Sequence, residues 1–224
     1  MKPTRGLLAA FAFAAAVDLV SLLAGPDTGH TIAKPFLMPL LAAWAAVSGA
    51  PRLLVAALLF GWGGDTLLLF DADPAFLAGM GCFAAGHVCY LTLFARRGRN
   101  SPSPHTRARL LVIGYGVALA ALLVLLRPDL PAGLRVPVAV YSALLTSMAC
   151  AAAVRVGAVA GLGGALFLLS DTLIATGIAD WPQLPRADFW VMLTYLAGQA
   201  LLAAGVLAAG GPRPAPAAAS GAAA

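Results

Sequence analysis

Eight apolar stretches run along this chain, near 7–24, 33–48, 52–70, 75–95, 109–126, 136–154, 157–178 and 187–209. Most are close to the ~20 residues that a helix needs to cross the hydrocarbon of a bilayer. The breaks between them carry turn chemistry: Gly25-Pro26-Asp27, Gly49-Ala50-Pro51-Arg52, Asp71-Ala72-Asp73-Pro74, Arg127-Pro128-Asp129 and Asp180-Trp181-Pro182. A backbone in lipid must satisfy its own hydrogen bonds, which makes each such stretch a helix. The pattern predicts an all-α, polytopic membrane bundle of eight transmembrane helices. Composition closes off the soluble alternative, with 61% hydrophobic residues and 10% charged against roughly a quarter charged in an ordinary soluble domain. All nine acids are Asp and there is no Glu, so no water-facing helix laced with Glu-Lys pairs is available. The formal charge of +5 does not point to nucleic acid, because the basic residues fall almost wholly in the connectors.

Those basic residues set an orientation. Counted from the N-terminal side, Lys2, Arg5, Arg52, Arg96, Arg97, Arg99, Arg107, Arg109, Arg155 and Arg213 collect on one face of the membrane, and Lys34, Arg127, Arg135 and Arg186 on the other. The positive-inside rule then puts both termini in the cytoplasm. Lys2 and Arg5 precede an apolar run as in a leader peptide, but Asp18 interrupts the run and no small-x-small cleavage site follows, so the first span is expected to stay. The chain divides into a transmembrane domain over 1–209 and a Pro/Ala/Gly-rich cytoplasmic tail over 210–224, expected to be disordered. Abundant Ala, Arg and Gly with only two Lys suit a GC-rich bacterial genome and hence a bacterial inner membrane. Cys82, Cys89 and Cys150 lie in apolar runs without ligand or disulfide spacing and are read as packing residues.

An internal echo is visible. Ala57-Leu58-Leu59-Phe60 followed by Asp65-Thr66-Leu67 recurs four spans later as Gly164-Ala165-Leu166-Phe167 followed by Asp171-Thr172-Leu173, and Phe83-Ala84-Ala85-Gly86-His87 recurs as Tyr195-Leu196-Ala197-Gly198-Gln199. A four-span shift preserves direction, so the expectation is two parallel four-helix repeats around a central cavity, with Asp65 and Asp171 facing each other at one depth.

An Asp within a spanning helix costs on the order of 2.5–3.5 kcal/mol on insertion scales, so each demands a reason. Asp18, Asp65 and Asp171 are the three cases, each expected roughly six to eight residues, or about 9–12 Å, from the outer end of its span. Lys34 at the outer start of span two, His87 in span four and Tyr195 in span eight are polar groups that could face the same space. For Asp18 an interhelical hydrogen bond is the equal alternative to a functional role. Asp65 and Asp171 stand in matched motifs beside small residues, Gly63-Gly64-Asp65-Thr66 and Ser170-Asp171-Thr172, which allow close approach. Two such carboxyls in an apolar chamber can hold unequal protonation states, supplying a general acid and a general base together. Lys34 is by default a snorkelling interface lysine, at a height that also suits a lipid phosphate. Tyr90, Tyr141 and Tyr195 are read first as packing or interface aromatics.

Taken in order, Lys34-Pro35-Phe36-Leu37-Met38-Pro39-Leu40, Gly64-Asp65, Ala85-Gly86-His87-Val88-Cys89-Tyr90, Gly164-Ala165-Leu166-Phe167 with Ser170-Asp171, and Tyr195-Leu196-Ala197-Gly198-Gln199 resemble the YhhN-like lysoplasmalogenases, from span two to span eight. The resemblance implies an eight-helix membrane hydrolase that cleaves the vinyl ether of lysoplasmalogens to a fatty aldehyde and glycerophosphoethanolamine or glycerophosphocholine, without a cofactor. It also implies that Asp65 and Asp171 are the catalytic acids; Lys34, His87, Tyr195, Gln199, Asp18 and Ser170 are read from their own polarity and placement as candidates for holding the lysophospholipid, with Asp18 outside the motifs that carry the resemblance. With one His inside a span and no Glu, no metal site is expected. The rival from another class is a proton-coupled transporter using the same buried acids. An intramembrane aspartyl protease fits less well, because its Tyr-Asp and Gly-x-Gly-Asp signatures read Ser170-Asp171 and Trp62-Gly63-Gly64-Asp65 here.

Overall fold

The computed structural model describes residues 2–25, 27–96 and 105–210. The described residues form eight α-helices and no strand: α1 (Lys2–Ala24), α2 (Asp27–Val47), α3 (Arg52–Leu67), α4 (Asp73–Arg96), α5 (His105–Leu126), α6 (Arg135–Ala151), α7 (Ala158–Ile178) and α8 (Ala187–Ala208). A short 3₁₀ turn leads into α6, and one π-helical turn (Ala152–Val156) carries α6 to Gly157. Gly157 alone separates that turn from α7, at a φ of 143° that a side chain would resist. The tail expected over 210–224 lies outside the described residues from 211 onward.

Seven helices are long and apolar enough to cross a membrane, and the chain is an integral, multi-pass membrane protein. The exception is α3, whose 16 residues span about 24 Å at 1.5 Å per residue, short of the ~30 Å hydrocarbon core. Hydropathy carries on to Phe70, but Gly61, Gly63 and Gly64 crowd the end of α3, and Leu68–Phe70 leave it as a turn. Glycine is the weakest helix former after proline, which suits an early stop there. Conversely α2 begins at Asp27 rather than near 33. Its first turns are tied to α1, where the Ser21 hydroxyl accepts the His30 backbone N–H at 3.2 Å. Pro35 and Pro39 lie inside α2, tolerated as prolines often are where neighbouring helices cover the freed carbonyls.

Helices pack as neighbours in sequence, α1 with α2, α3 with α4 and α7 with α8, while α6 bridges α4 and α7 and α1 closes onto α8. The α7–α8 seam is the tightest. A Cβ at Gly163 would lie 2.6 Å from the Leu202 nitrogen, and one at Gly198 would lie 2.9 Å from the Gly163 carbonyl oxygen. Such contact between backbones maximises dispersion where lipid supplies no hydrophobic drive for helices to associate. At the echoed place in the other pair, a Cβ at Gly86 on α4 would lie 3.2 Å from the Ala57 carbonyl oxygen of α3. Large apolar side chains such as Phe13, Ile32, Leu110, Val124 and Val140 point outward, as expected where the surrounding medium is acyl chain. On α5 only Leu126 is buried.

Candidate active site

One cavity lies among α2, α3, α4, α6, α7 and α8, enclosing about 80 Å³ open to a water-sized molecule. Its wall is apolar, with Phe83, Leu145, Val138, Met192 and Ile178 among others, and Leu122 of α5 closes one edge. Asp65 from α3 and Asp171 from α7 both line it, together with Lys34, Ser170 and Tyr195.

Each acid is held by a phenol. Tyr195 of α8 donates its hydroxyl proton to Asp65 Oδ2 at 2.8 Å, and Tyr141 of α6 donates to Asp171 Oδ2. The phenols are anchored in turn. Gln199 Nε2 lies 3.5 Å from the Tyr195 oxygen, and its Oε1 accepts from Tyr90 at 2.7 Å. His87 Nε2 lies 3.2 Å from the Tyr141 oxygen. The rings are set by edge contacts: Phe167 lies 5.2 Å from Tyr195 and 5.0 Å from His87, centroid to centroid. Edge-on packing of this kind fixes ring orientation and adds stabilisation of about 0.5–1.5 kcal/mol per pair.

Lys34 differs from its expected place. Because α2 starts early, Lys34 lies seven residues inside the helix and is buried, with 9% of its surface exposed. It faces the cavity instead of snorkelling to the headgroups. Asp65, in contrast, is nearer its helix end than the six to eight residues expected, two positions before Leu67, while Asp18 and Asp171 keep that spacing from Ala24 and Ile178.

Not every candidate reaches the chamber. Asp18 is fully buried and pairs through Oδ1 with His30 Nδ1 at 2.8 Å, joining α1 to α2; its other oxygen is buried without a partner. It does not line the cavity, and neither do His87 and Gln199, which stand behind the two tyrosines. Ser170 lines it but donates its hydroxyl to the Val191 carbonyl at 3.0 Å. Gly64 serves helix packing, since a Cβ there would meet the Phe83 ring at 2.5 Å. Tyr141 and His30 are the residues that sequence reasoning passed over. A tyrosine in an apolar run reads as a packing aromatic, and His30 lay ahead of the expected start of span two. Among the described residues no three His, Cys, Asp or Glu side chains converge as metal ligands would, and Cys82, Cys89 and Cys150 are free and half-buried.

Known proteins match this chain over most of its length. The model of the YhhN family covers residues 29–206. Lysoplasmalogenase TMEM86B of Homo sapiens is 34% identical over 154 residues, 69% of this chain and 63% of that protein. The match therefore spans less than two thirds of the human relative. The lysoplasmalogenase of Mycobacterium bovis is 32% identical over 191 residues, 80% of this chain and 72% of its own length, and lysoplasmalogenase TMEM86B of Sus scrofa is 36% identical over 172 residues, covering 76% and 70%. No solved structure is detectably similar. On the extent of the family match and the identity of these relatives, the chain belongs to the YhhN family.

Proposed function

We propose that this chain is a lysoplasmalogenase: a membrane hydrolase that cleaves the vinyl ether of single-chain alkenyl glycerophospholipids, releasing a fatty aldehyde and glycerophosphoethanolamine or glycerophosphocholine. The observation that carries the reading is the chamber, in which two aspartates from separate helices and a buried lysine line one apolar space. The names of the relatives agree with it.

In this reading the lipid enters sideways, its phosphate at Lys34 and its vinyl ether at the level of the carboxyls. One Asp gives its proton to the alkenyl carbon remote from the ether oxygen, and the double-bond electrons form the new C–H bond. The cation left on the adjacent carbon is shared with the ether oxygen as an oxocarbenium ion, stabilised by the ionised Asp. Water adds to that carbon and gives a proton to the ionised carboxylate, forming a hemiacetal. Collapse breaks the carbon–oxygen bond to the glycerol, yielding aldehyde and alcohol while a proton passes to the glycerol oxygen. Two carboxyls in unequal protonation states around a developing cation follow the electrostatic logic of glycoside hydrolysis. The sequence echo and the shared glycine packing of the α3–α4 and α7–α8 pairs support a duplicated half, one acid from each copy. The basic-residue bias supports cytoplasmic termini in a bacterial inner membrane.

The test is release of aldehyde by the purified protein in detergent over a panel of lysolipids with and without the vinyl ether. Turnover confined to the vinyl ether is expected. Movement of a solute across liposomes with no product from any lipid would replace the hydrolase with a carrier. Lys34→Ala is expected to raise KM about tenfold with a smaller effect on kcat, the signature of lost ground-state binding, and an unchanged KM would remove Lys34 from phosphate binding.

A further inference from the structure

The two phenol contacts belong to a pair of matched chains. In one, Gln199 stands behind Tyr195 and Tyr195 behind Asp65; in the other, His87 stands behind Tyr141 and Tyr141 behind Asp171. His87 and Gln199 occupy echoed sequence positions, as do Asp65 and Asp171. An amide and an imidazole thus do the same task in the two halves, each presenting an Nε2 to a phenol oxygen.

Proton counting fixes the direction of the second chain. A phenol has one proton, and Tyr141 gives it to Asp171 Oδ2, so the Tyr141 oxygen can only accept from His87. His87 must then carry its proton on Nε2, which leaves Nδ1 as a bare acceptor. Nδ1 is indeed buried with no partner. Reversing the chain would put the proton on Nδ1 and bury an unpaired donor, which native structures tolerate less readily than an unpaired acceptor. The same counting bears on the carboxyl. With Oδ2 taken up by Tyr141, a proton on Asp171 resides on Oδ1.

Building on the hydrolase reading, we infer that Tyr141 and His87 are positioning residues for Asp171, holding its carboxyl through Oδ2 so that Oδ1 is the oxygen that exchanges a proton with the substrate. His87 acts two bonds back from the chamber and never touches the lipid. Tyr141 transmits its orientation across from α4 to α7.

The experiment compares Tyr141→Phe, His87→Leu and His87→Gln with the wild type, reading kcat and KM separately for aldehyde release from an alkenyl lysophosphatidylethanolamine. Tyr141→Phe and His87→Leu are expected to lower kcat by about 10- to 100-fold with KM within about threefold, as loss of a charge-assisted hydrogen bond at the reacting group would. His87→Gln restores the Nε2 donor that Gln199 supplies in the other half, and is expected to keep kcat within about threefold of wild type. A merely structural His87 would not discriminate Gln from Leu in this way. Equal loss in His87→Gln and His87→Leu overturns the proposal, as does full turnover by Tyr141→Phe. Nitrogen NMR of histidine-labelled protein reads the tautomer independently of catalysis: the signal missing in His87→Gln should be a neutral ring protonated on Nε2, and one protonated on Nδ1 overturns the relay. A wild type that releases no aldehyde overturns the hydrolase reading instead, and the tautomer then decides the relay alone.

Discussion

Two carboxyls in one chamber and one buried Asp–His contact concentrate the unusual chemistry of this molecule at single positions. Asp65→Asn and Asp171→Asn keep size and most hydrogen bonding but remove the acid, so each is expected to lower aldehyde release by about 10²- to 10⁴-fold, the usual weight of a general acid or base. Correct insertion of both variants, read by gel filtration in detergent, makes that loss chemical. Near-normal turnover by either would take that residue out of the reaction. Asp18 answers to a different measurement. It is fully buried and hydrogen-bonded to His30, so His30→Ala leaves a buried carboxyl without that partner and is expected to destabilise the fold by about 1–3 kcal/mol, whereas Asp18→Ala with His30→Ala should recover most of the loss. Thermal unfolding of the three proteins in detergent checks the pattern. At this scale the acids were legible from sequence because a charge in a bilayer segment is costly and conspicuous. Tyr195, the partner of Asp65, stood among the candidates, but the partner of Asp171 did not: tyrosine is ordinary in such segments, and Tyr141 lies 30 positions from the carboxyl it serves.

At the scale of helices, the protein separates a rigid seam from a loose one. Gly198 and Gly163 bring α7 and α8 into backbone contact, so Gly198→Val must push the helices apart and is expected to destabilise by about 1–3 kcal/mol, the range for overpacking a close interface. Gly114→Val on α5, where an added Cβ meets nothing within 4 Å, should change stability by less than about 0.5 kcal/mol. Unfolding midpoints that do not separate the two variants would deny the seam its role. The eight described helices were readable as apolar runs, and seven of them have the length and apolarity that define a span. Their ends were not readable, because context decides how far a helix runs: α1 ties down the start of α2 through His30, and the glycines of α3 stop it while the sequence is still apolar. The echo is also less regular than its letters suggest. Asp65 follows Phe60 by five residues and Asp171 follows Phe167 by four, a difference of about 100° around a helix, and Phe60 is exposed where Phe167 is buried.

Over the whole molecule, the alternation of basic residues requires that α3 cross despite its length. If it does, reporter domains fused before α1 and after α8 should both read out on the cytoplasmic side. Opposite readings would mean an odd number of crossings and would undo the orientation proposed above. A crossing helix shorter than the membrane draws the lipid surface inward around it or tilts its neighbours, at a cost of fractions of a kcal/mol per Å of mismatch. Asp65 lies two residues from the end of that helix and, if α3 crosses, would stand near the polar phase. The hydrolysis proposed here consumes two reactants of opposite solubility, and the stunted third helix would bring their supply routes together: the greasy one diffuses in along the plane of the bilayer, and the polar one arrives through a dimple above the carboxylate.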